Sequence, residues 1–203
     1  MEENSSSSGR IGVFGGTFDP PHLAHVKVAR FLLDFGKLEK VLWIPTSKSP
    51  HKAESEVTPA SIRLRMVSAT IKGITGQDVS NMEILRGGYS YTVETLRVLK
   101  EAHPQKDLLL IMGSDQFHSL SEWREAKSLA GLAQVCVLPR RGNVVLNQSP
   151  PSNASVDWIL APFEEVDVSS SEIRKKVQQN LPYSHLVSES VREIIVRESL
   201  YQT

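Results

Sequence analysis

Short apolar runs alternate along this chain with longer segments whose apolar residues recur at helical spacing. The first run, at 11–14, ends in Gly15-Gly16, and apolar residues then recur at positions 23, 26, 29, 32 and 33. A buried strand followed by glycine is where an α/β protein turns from sheet into helix. Further strands are predicted at 41–44, 79–84, 108–112, 134–138 and 158–160. Strands that alternate with helices predict an α/β fold with a doubly wound parallel sheet.

The helix boundaries follow from capping residues. The first helix is expected to end at Gly36. Thr58 and Pro59 predict the N-cap and the first residue of the second helix. The remaining helices are predicted to begin at Thr92, Ser170 and Ser188, the last two being C-terminal helices over 170–179 and 188–200. Ser121 is predicted to cap a short helix that contains Trp123.

The 203 residues are 40% hydrophobic and 23% charged, which predicts one globular domain over 11–203 after a disordered, Ser-rich tail at 1–10. The segment 139–157 is rich in Ser, Asn, Pro and Gly and predicts a mobile loop. Cys136 is the one cysteine, so neither an intramolecular disulfide nor a thiolate cluster can form, and we interpret it as a core residue.

Charge and hydropathy narrow the possible partners. The 23 basic residues balance the 23 acidic ones, whereas a protein that holds duplex nucleic acid usually has a basic excess. The apolar runs are too short for a transmembrane helix, and the N-terminus lacks the apolar core of a signal peptide. We therefore predict a cytoplasmic protein that binds neither nucleic acid nor membrane.

The segment 15–25, Gly-Gly-Thr-Phe-Asp-Pro-Pro-His-Leu-Ala-His, carries the main chemical signal. Its glycines let backbone approach a ligand, and the helix that follows directs its positive N-terminus at the same place. His22 and His25 lie on one helix face and suit an anion such as a nucleotide phosphate. The alternatives are a plain helix cap with two surface histidines, or a zinc site, which lacks a third ligand nearby. The segment matches neither a P-loop nor a dinucleotide fingerprint.

This segment resembles the Gly-Gly-Thr-Phe-Asp-Pro-x-His-x-x-His motif of the adenylyltransferase branch of the nucleotidyltransferase superfamily. A second segment, Val-Ser-Ser-Ser-Glu-Ile-Arg at 168–174, resembles that superfamily's Ile-Ser-Ser-Thr-x-Ile-Arg. Its three hydroxyls offer donors at a helix start, and Arg174 carries a guanidinium that matches phosphate. A serine run before a helix is by itself also a common cap. The resemblance implies the Rossmann-like nucleotidyltransferase fold.

Four features between the two motifs narrow the family. They are Ser49-Pro50-His51-Lys52 after the second strand, Ser90-Tyr91-Thr92 at a helix start, Gly113-Ser114-Asp115 at a strand end, and Trp123. In this order they resemble the bacterial-type nicotinate mononucleotide adenylyltransferases. Pro21, Ala24 and Ser171 depart from the usual aliphatic residue, glycine and threonine of that family. None of these departures removes a phosphate-contacting group.

The resemblance implies two sets of binding residues. Those for ATP are Gly15, Gly16, Thr17, Phe18, His22, His25, Gly113, Asp115, Arg140, Ser169, Ser170, Ser171, Ile173 and Arg174. Those for the pyridine mononucleotide are Lys48, His51, Lys52, Tyr91, Thr92 and Trp123. In the family, the tryptophan stacks on the pyridine ring and nearby backbone N–H groups receive the nicotinate carboxylate. Structural alternatives are a solvated loop at 48–52, a plain helix start at Tyr91 and a core position for Trp123.

The residues Arg63 and Arg65 are predicted to lie on the surface or to anchor a loop. Asp115 is expected to bind the ribose hydroxyls, because a carboxylate is an acceptor. Arg140 is expected on the adenosine or phosphate side.

The implied reaction is adenylyl transfer from ATP to nicotinate mononucleotide, a step of NAD biosynthesis, by direct attack of the mononucleotide phosphate on the α-phosphorus. The catalytic residues are expected to be His22, His25, Thr17 and Arg174. The ATP phosphates should carry Mg²⁺, with no metal ligands from the protein. The partners are thus two small-molecule substrates, and the oligomeric state stays open.

Four alternatives remain. An enzyme that adenylylates phosphopantetheine is disfavoured by His22 and Trp123. A preference for nicotinamide mononucleotide depends on donors that sequence does not locate. A nucleotide-binding module without catalysis is disfavoured by the two complete phosphate motifs, because such a module does not have to orient a leaving group. A Rossmann oxidoreductase should contain Gly-x-Gly-x-x-Gly, which is missing here.

Overall fold

A computed structural model describes residues 9–50, 57–139, 156–164 and 167–202. Six parallel strands form one sheet in these residues, in the spatial order β3-β2-β1-β4-β5-β6. Their bounds are Arg10–Gly16 (β1), Leu38–Pro45 (β2), Gln77–Val79 (β3), Asp107–Gly113 (β4), Gln134–Leu138 (β5) and Trp158–Leu160 (β6). The parallel pairing confirms the sheet type that the sequence predicts.

Helices connect the successive strands from β1 to β5, as a parallel sheet requires. They are Leu23–Phe35 (α1), Ala60–Ile71 (α2), Met82–Arg86 (α3), Thr92–Ala102 (α4), Ser114–His118 (α5), Ser170–Gln178 (α6) and Glu189–Arg197 (α7). Short 3₁₀ segments occupy Leu120–Glu122, Ala126–Gly131 and Ser184–Leu186. None of the helices in the described ranges is both long and apolar enough to cross a membrane.

Each face of the sheet carries its own hydrophobic core. Alternate residues of β4 separate to the two sides, with Leu110 in one core and Ile111 in the other. The first core includes Leu96 of α4 and Phe117 of α5, while the second includes Leu32 of α1 and residues of α2. Because helices cover both faces, the sheet is doubly wound.

The C-terminal helices pack on α2 and away from the sheet. Met66 of α2 contacts a third cluster that contains Ile173 and Val177 of α6 and Val191 and Ile195 of α7. This packing brings the start of α6 next to the segment that follows β1.

The order of the strands fixes where a ligand can bind. β1 pairs with β2 on one side and with β4 on the other, so the chain leaves β1 in one direction and later returns to its opposite side. The loops after β1 and β4 therefore diverge and leave a crevice at the carboxyl ends of these strands. The predicted glycine-rich segment begins at this point, since β1 ends at Gly16.

The third strand differs from its prediction at 79–84. It covers Gln77–Val79, and the apolar residues beyond it form the short helix α3. Met82 packs against the core, whereas Leu85 is 76% exposed, so the apolar residues of this segment are not buried together. A two-residue alternation over so short a segment does not distinguish strand from helix.

Two helix starts were also predicted wrongly. Pro59 is the N-cap of α2, because the N–H of Thr58 donates to the Asp19 carboxylate and Thr58 is thereby held outside the helix. Ser121 does not begin the short helix with Trp123, since the 3₁₀ segment Leu120–Glu122 ends before that tryptophan. At the C-terminus, Ser188 caps α7 with its hydroxyl and the helix stops at Arg197.

Parts of two predicted segments lie outside the described residues, namely 1–8 of the tail and 140–155 of the loop at 139–157. Arg10, which the prediction assigns to the tail, already pairs with Leu38 and Asp107 in β1. β1 therefore begins one residue earlier than its apolar run.

Candidate active site

A cavity of about 920 Å³ opens at the carboxyl ends of β1 and β4. Its volume is in the range of pockets that bind small molecules. One wall is formed by the segment after β1 and the start of α6, and the opposite wall by the start of α4 and the residues around Trp123. The cavity lies at the place that the strand order predicts.

The glycines after β1 have different surroundings. A Cβ on Gly15 would meet no atom within 4 Å, so this backbone faces open space and a ligand can approach it. A Cβ on Gly16 would lie 2.9 Å from the ring of Phe18. Phe18 adopts a φ of 50° and packs edge-on against Phe14, with ring centroids 5.4 Å apart. Its ring is 3% exposed and supports the wall of the cavity.

The two histidines stack on each other at the start of α1. Their ring centroids are 3.6 Å apart with an interplanar angle of 24°. His22 is the N-cap residue, and its backbone N–H donates to Nδ1 of His25 at 3.2 Å. Because Nδ1 accepts this bond, the proton of a neutral His25 ring lies on Nε2. His25 therefore offers an Nε2–H donor at the helix N-terminus, where anions are stabilised.

The two predicted phosphate motifs meet in space. The hydroxyl of Ser170 donates to the carbonyl of Pro20 at 2.8 Å, and Nη1 of Arg174 donates to the carbonyl of Asp19 at 2.8 Å. The hydroxyl of Ser169 accepts from the N–H of Glu172 and caps α6. The N-termini of α1 and α6 thus border the same cavity.

The opposite wall combines aromatic rings with a cation. Tyr91 caps α4, and the guanidinium of Arg124 lies 4.5 Å from the centre of the Tyr91 ring. Trp123 is half-buried: it packs against the first core and also lines the cavity. Arg124 lies 3.5 Å from the carboxylate of Glu94.

A buried carboxyl group, that of Glu83, also lines the cavity on this side. Glu83 is 5% exposed, and its Oε1 accepts a 2.6 Å hydrogen bond from the hydroxyl of Thr95. Burial raises the pKa of Glu83, while the hydroxyls of Thr95 and Ser90 and the charge of Arg86 act in the opposite direction. Across the described residues, no three His, Cys, Asp or Glu side chains converge to form a metal site.

Comparison with known proteins connects this geometry to a family. A family model described as cytidylyltransferase-like matches residues 13–176. A probable nicotinate-nucleotide adenylyltransferase from Salinibacter ruber is 36% identical over 192 residues, which cover 95% of this chain and 97% of the relative. One from Desulfitobacterium hafniense is 37% identical over 198 residues, 95% of this chain and 96% of the relative. The chain belongs to the nicotinate-nucleotide adenylyltransferase family.

The fold is shared with solved structures. Plasmodium falciparum nicotinic acid mononucleotide adenylyltransferase complexed with NaAD superposes with a TM-score of 0.80 at 20% sequence identity, covering 95% of this chain and 97% of that one. At this identity the likeness concerns the fold, and it confirms the predicted nucleotidyltransferase architecture. The family resemblance that the sequence motifs indicate is confirmed as well.

Most of the site residues that the sequence predicts line the cavity. They are Gly15, Gly16, Thr17, Phe18, His22, His25, Tyr91, Thr92, Gly113, Asp115, Trp123, Ser169, Ser170 and Ser171. Lys48, Ile173 and Arg174 are not among the lining residues. Ile173 is fully buried in the third cluster, and its contact with ATP stays a prediction. Three further predicted residues, His51, Lys52 and Arg140, lie outside the described residues.

Sequence reasoning overlooked the supporting residues of this adenylyltransferase-family site. Asp19 is 2% exposed and fastens the segment between β1 and α1 to other elements. Arg63 is 1% exposed, so its predicted surface position is wrong and the loop-anchoring alternative holds, whereas Arg65 is exposed and pairs with Glu198. A signal for Arg63 was available, because it lies three residues before the buried Met66 on the same helix face.

Proposed function

We propose that this protein transfers the adenylyl group of ATP to nicotinate mononucleotide and releases pyrophosphate. The observation that carries the proposal is the meeting of two helix N-termini, those of α1 and α6, across one cavity from an aromatic wall. The helix N-termini suit the phosphates of a nucleotide, and the aromatic wall suits a planar ring. The family membership and the names of the relatives support the same reaction.

The chemical step needs no protein nucleophile. An oxygen of the mononucleotide 5′-phosphate attacks the α-phosphorus of ATP and forms the new P–O bond. The bond from the α-phosphorus to the bridging oxygen of the β-phosphate breaks, and pyrophosphate leaves with that electron pair. The protein's contribution is placement and charge compensation, and placement alone can be worth roughly 7–11 kcal/mol.

The stacked histidines are assigned to the reacting phosphate. The Nε2–H of His25 and the N-terminus of α1 stabilise charge on the α- and β-phosphates, and Thr17 helps to orient the same group. Stacking on His22 holds the His25 ring in one orientation. This arrangement supports catalytic roles for all three residues.

The β- and γ-phosphates of ATP, which leave as pyrophosphate, are assigned to the start of α6. Ser169, Ser170 and Ser171 line the cavity there, and Arg174 braces the same turn through the Asp19 carbonyl. The ATP phosphates would carry Mg²⁺, which would supply charge neutralisation. The described residues provide phosphate donors on this wall and no acidic cluster for a dedicated cation.

The nicotinate end is assigned to the aromatic wall. Trp123 offers a face on which the pyridine ring stacks, and the start of α4 borders the same space. The guanidinium of Arg124, held over Tyr91, adds a positive charge that favours the carboxylate of nicotinate over the neutral amide of nicotinamide. We also propose a cytoplasmic location, because the 203 residues contain one cysteine and therefore no intramolecular disulfide, as is usual in a reducing compartment.

The test is pyrophosphate release from ATP and Mg²⁺ with nicotinate mononucleotide, nicotinamide mononucleotide or phosphopantetheine offered separately. We expect release mainly with the first. Release with another acceptor would agree with the assignment of ATP to the starts of α1 and α6, and it would contradict the assignment of the nicotinate ring to the aromatic wall. Tight ATP binding without release in any mixture would instead indicate a non-catalytic nucleotide-binding module.

Two variants test the preference for nicotinate mononucleotide over nicotinamide mononucleotide. The parental enzyme should have a higher kcat/KM for nicotinate mononucleotide than for nicotinamide mononucleotide. Arg124→Gln should reduce the ratio of these two values by up to about fivefold, because an exposed charge pair contributes about 1 kcal/mol. Arg97→Gln removes an exposed arginine of α4 that pairs with Glu125 and serves as the matched control. An unchanged ratio in the Arg124 variant would contradict the role of its charge.

A further inference from the structure

Arg63 extends from the buried face of α2 into the space between three loops. Its Nε donates to the carbonyl of Thr58 at 2.8 Å, and its Nη1 donates to the carbonyl of Thr17 at 2.8 Å. Its Nη2 donates to the carbonyls of Thr46 at 2.7 Å and Ser47 at 3.1 Å. One guanidinium therefore holds the loop after β1, the loop after β2 and the entry to α2.

The charge of this group is compensated inside the protein. Burial lowers the pKa of Arg63, while the nearby charges of Asp19 and Glu83 raise it. A guanidinium keeps its proton at neutral pH even when buried. Four carbonyl dipoles receive its N–H groups, which satisfies the requirement that a buried charge be hydrogen-bonded.

The contacts of Arg63 continue to the aromatic wall. The backbone N–H of Ser47 donates to Oγ of Ser90 at 2.9 Å, and Ser90 precedes Tyr91 at the start of α4. A continuous chain of hydrogen bonds thus runs from Thr17, on the phosphate side of the cavity, through Arg63 and Ser47 to Ser90, on the ring side.

We infer that Arg63 is a positioning residue that sets the distance between the two halves of the active site. The inference rests on the proposed function, in which Thr17 serves ATP and the start of α4 serves the mononucleotide. In-line attack requires both substrates at a defined separation, and a misplacement of 1 Å can cost about 10²-fold in rate. The planar fork of arginine fixes several carbonyls at once, whereas the ammonium of lysine is a single point.

The experiment compares Arg63→Lys with Arg65→Lys. The control carries the same substitution on the same helix, at a side chain that is 47% exposed and pairs with Glu198. We expect the Arg63 variant to remain folded and to lose roughly 10²-fold in kcat. The KM for each substrate should change much less, because each wall keeps its own binding groups. The control should keep parental values.

Hydrogen exchange supplies a readout that does not need activity. The Arg63 variant should show faster exchange in peptides covering 14–22 and 43–50 together, and the Arg65 variant in neither. Parental kcat in Arg63→Lys, loss only of affinity for one substrate, or unchanged exchange in both loops would each overturn the inference. If the parental protein released no pyrophosphate, the proposed function would be overturned. The hydrogen-exchange data would still decide whether Arg63 holds both loops.

A second variant covers the case in which Arg63→Lys does not fold. Ser90→Ala removes the acceptor at the far end of the same chain of hydrogen bonds. We expect it to fold and to lower kcat about tenfold, the effect of about 1.4 kcal/mol. If Arg63→Lys folds, the two changes should be non-additive in a double-mutant cycle. Parental kcat in Ser90→Ala, or full additivity of the two changes, would contradict the inference.

Discussion

The hydroxyl of Tyr201 donates a 2.6 Å hydrogen bond to Oδ1 of Asp19, 182 positions away in the sequence. The other carboxylate oxygen of Asp19 accepts from the N–H of Thr58 at 3.1 Å. Burial and the neighbouring carboxylate raise the pKa of Tyr201, so its hydroxyl stays protonated as a donor. The segment between β1 and α1, which carries the histidines, is thus held by the residues that follow α7.

Replacing Tyr201 by phenylalanine tests this connection. The substitution leaves a buried carboxylate with one partner fewer, so the free energy of unfolding should fall by about 1.5–3 kcal/mol, measured by chemical denaturation. The value of kcat should fall as well, because the Asp19 turn precedes His22 directly. Tyr89→Phe, at a side chain that is 51% exposed, is the control and should match the parent. Equal stability of the two variants would contradict the role of Tyr201.

Two substitutions at His25 separate its two nitrogens. Asparagine keeps an acceptor near Nδ1 for the His22 N–H and removes Nε2, so kcat should fall roughly 10²–10³-fold while stability is kept. Glutamine can place a donor near Nε2 and removes the Nδ1 acceptor, so it should retain more activity and lose about 0.5–2 kcal/mol of stability. Kinetics and denaturation of both variants check this. Equal activity in the two variants would refute the assignment.

The buried carboxyl of Glu83 predicts a pH dependence of stability. Its pKa is raised in the folded protein, so the folded state binds the proton more tightly than the unfolded one. This contribution is fully present below the unfolded pKa and is lost as the pH rises through the folded pKa. Glu83→Gln keeps an acceptor for Thr95 and should therefore reduce the fall in unfolding free energy as the pH rises above the usual pKa of a carboxyl group.

The control for Glu83 is Glu101→Gln, an exposed position on α4. Its stability should follow the parental pH curve, measured by urea denaturation across the same range. Parallel curves for the parent and the Glu83 variant would rule out a buried titration at this site.

Cys136 predicts the accessibility of the chain's single thiol. It is fully buried in the second core, and burial raises the pKa of its thiol to about 12. A thiol reagent at pH 8 should therefore react only after unfolding, with one equivalent per chain, since reaction requires an exposed thiolate. The labelling rate should follow the unfolding rate. Rapid labelling of native protein would contradict this burial, and Cys136→Ala should show no reaction at all.

Local patterns in the sequence were sufficient for most of the fold. Strands 134–138 and 158–160 have the predicted bounds, and α4 begins at the predicted Thr92. These elements are long or strongly apolar, so the pattern of neighbouring residues identifies them. The segment 79–84 was misjudged, because a short edge element has few residues from which to read a period.

The local structure of the two predicted phosphate motifs could also be predicted from the sequence. Glycines, paired histidines and a serine cap have defined roles at strand ends and helix starts, and these roles depend on near neighbours. The meeting of the motifs, through Ser170 and the Pro20 carbonyl, depends instead on the packing of α6 and α7 against α2, which no local pattern predicts. Ile173 belongs to the second motif in sequence, yet its side chain faces the third core, as a helix face requires.

The sequence by itself determined the parallel sheet and the two motifs at the starts of α1 and α6, because each depends on periodicity or on adjacent residues. Only the tertiary structure decided how these parts are held: Arg63 among four carbonyls, Tyr201 on Asp19 and Arg124 over Tyr91. These partners come from loops whose separation is set by strand order and helix packing. A buried polar group takes whichever partners the fold places around it, and no local pattern encodes them.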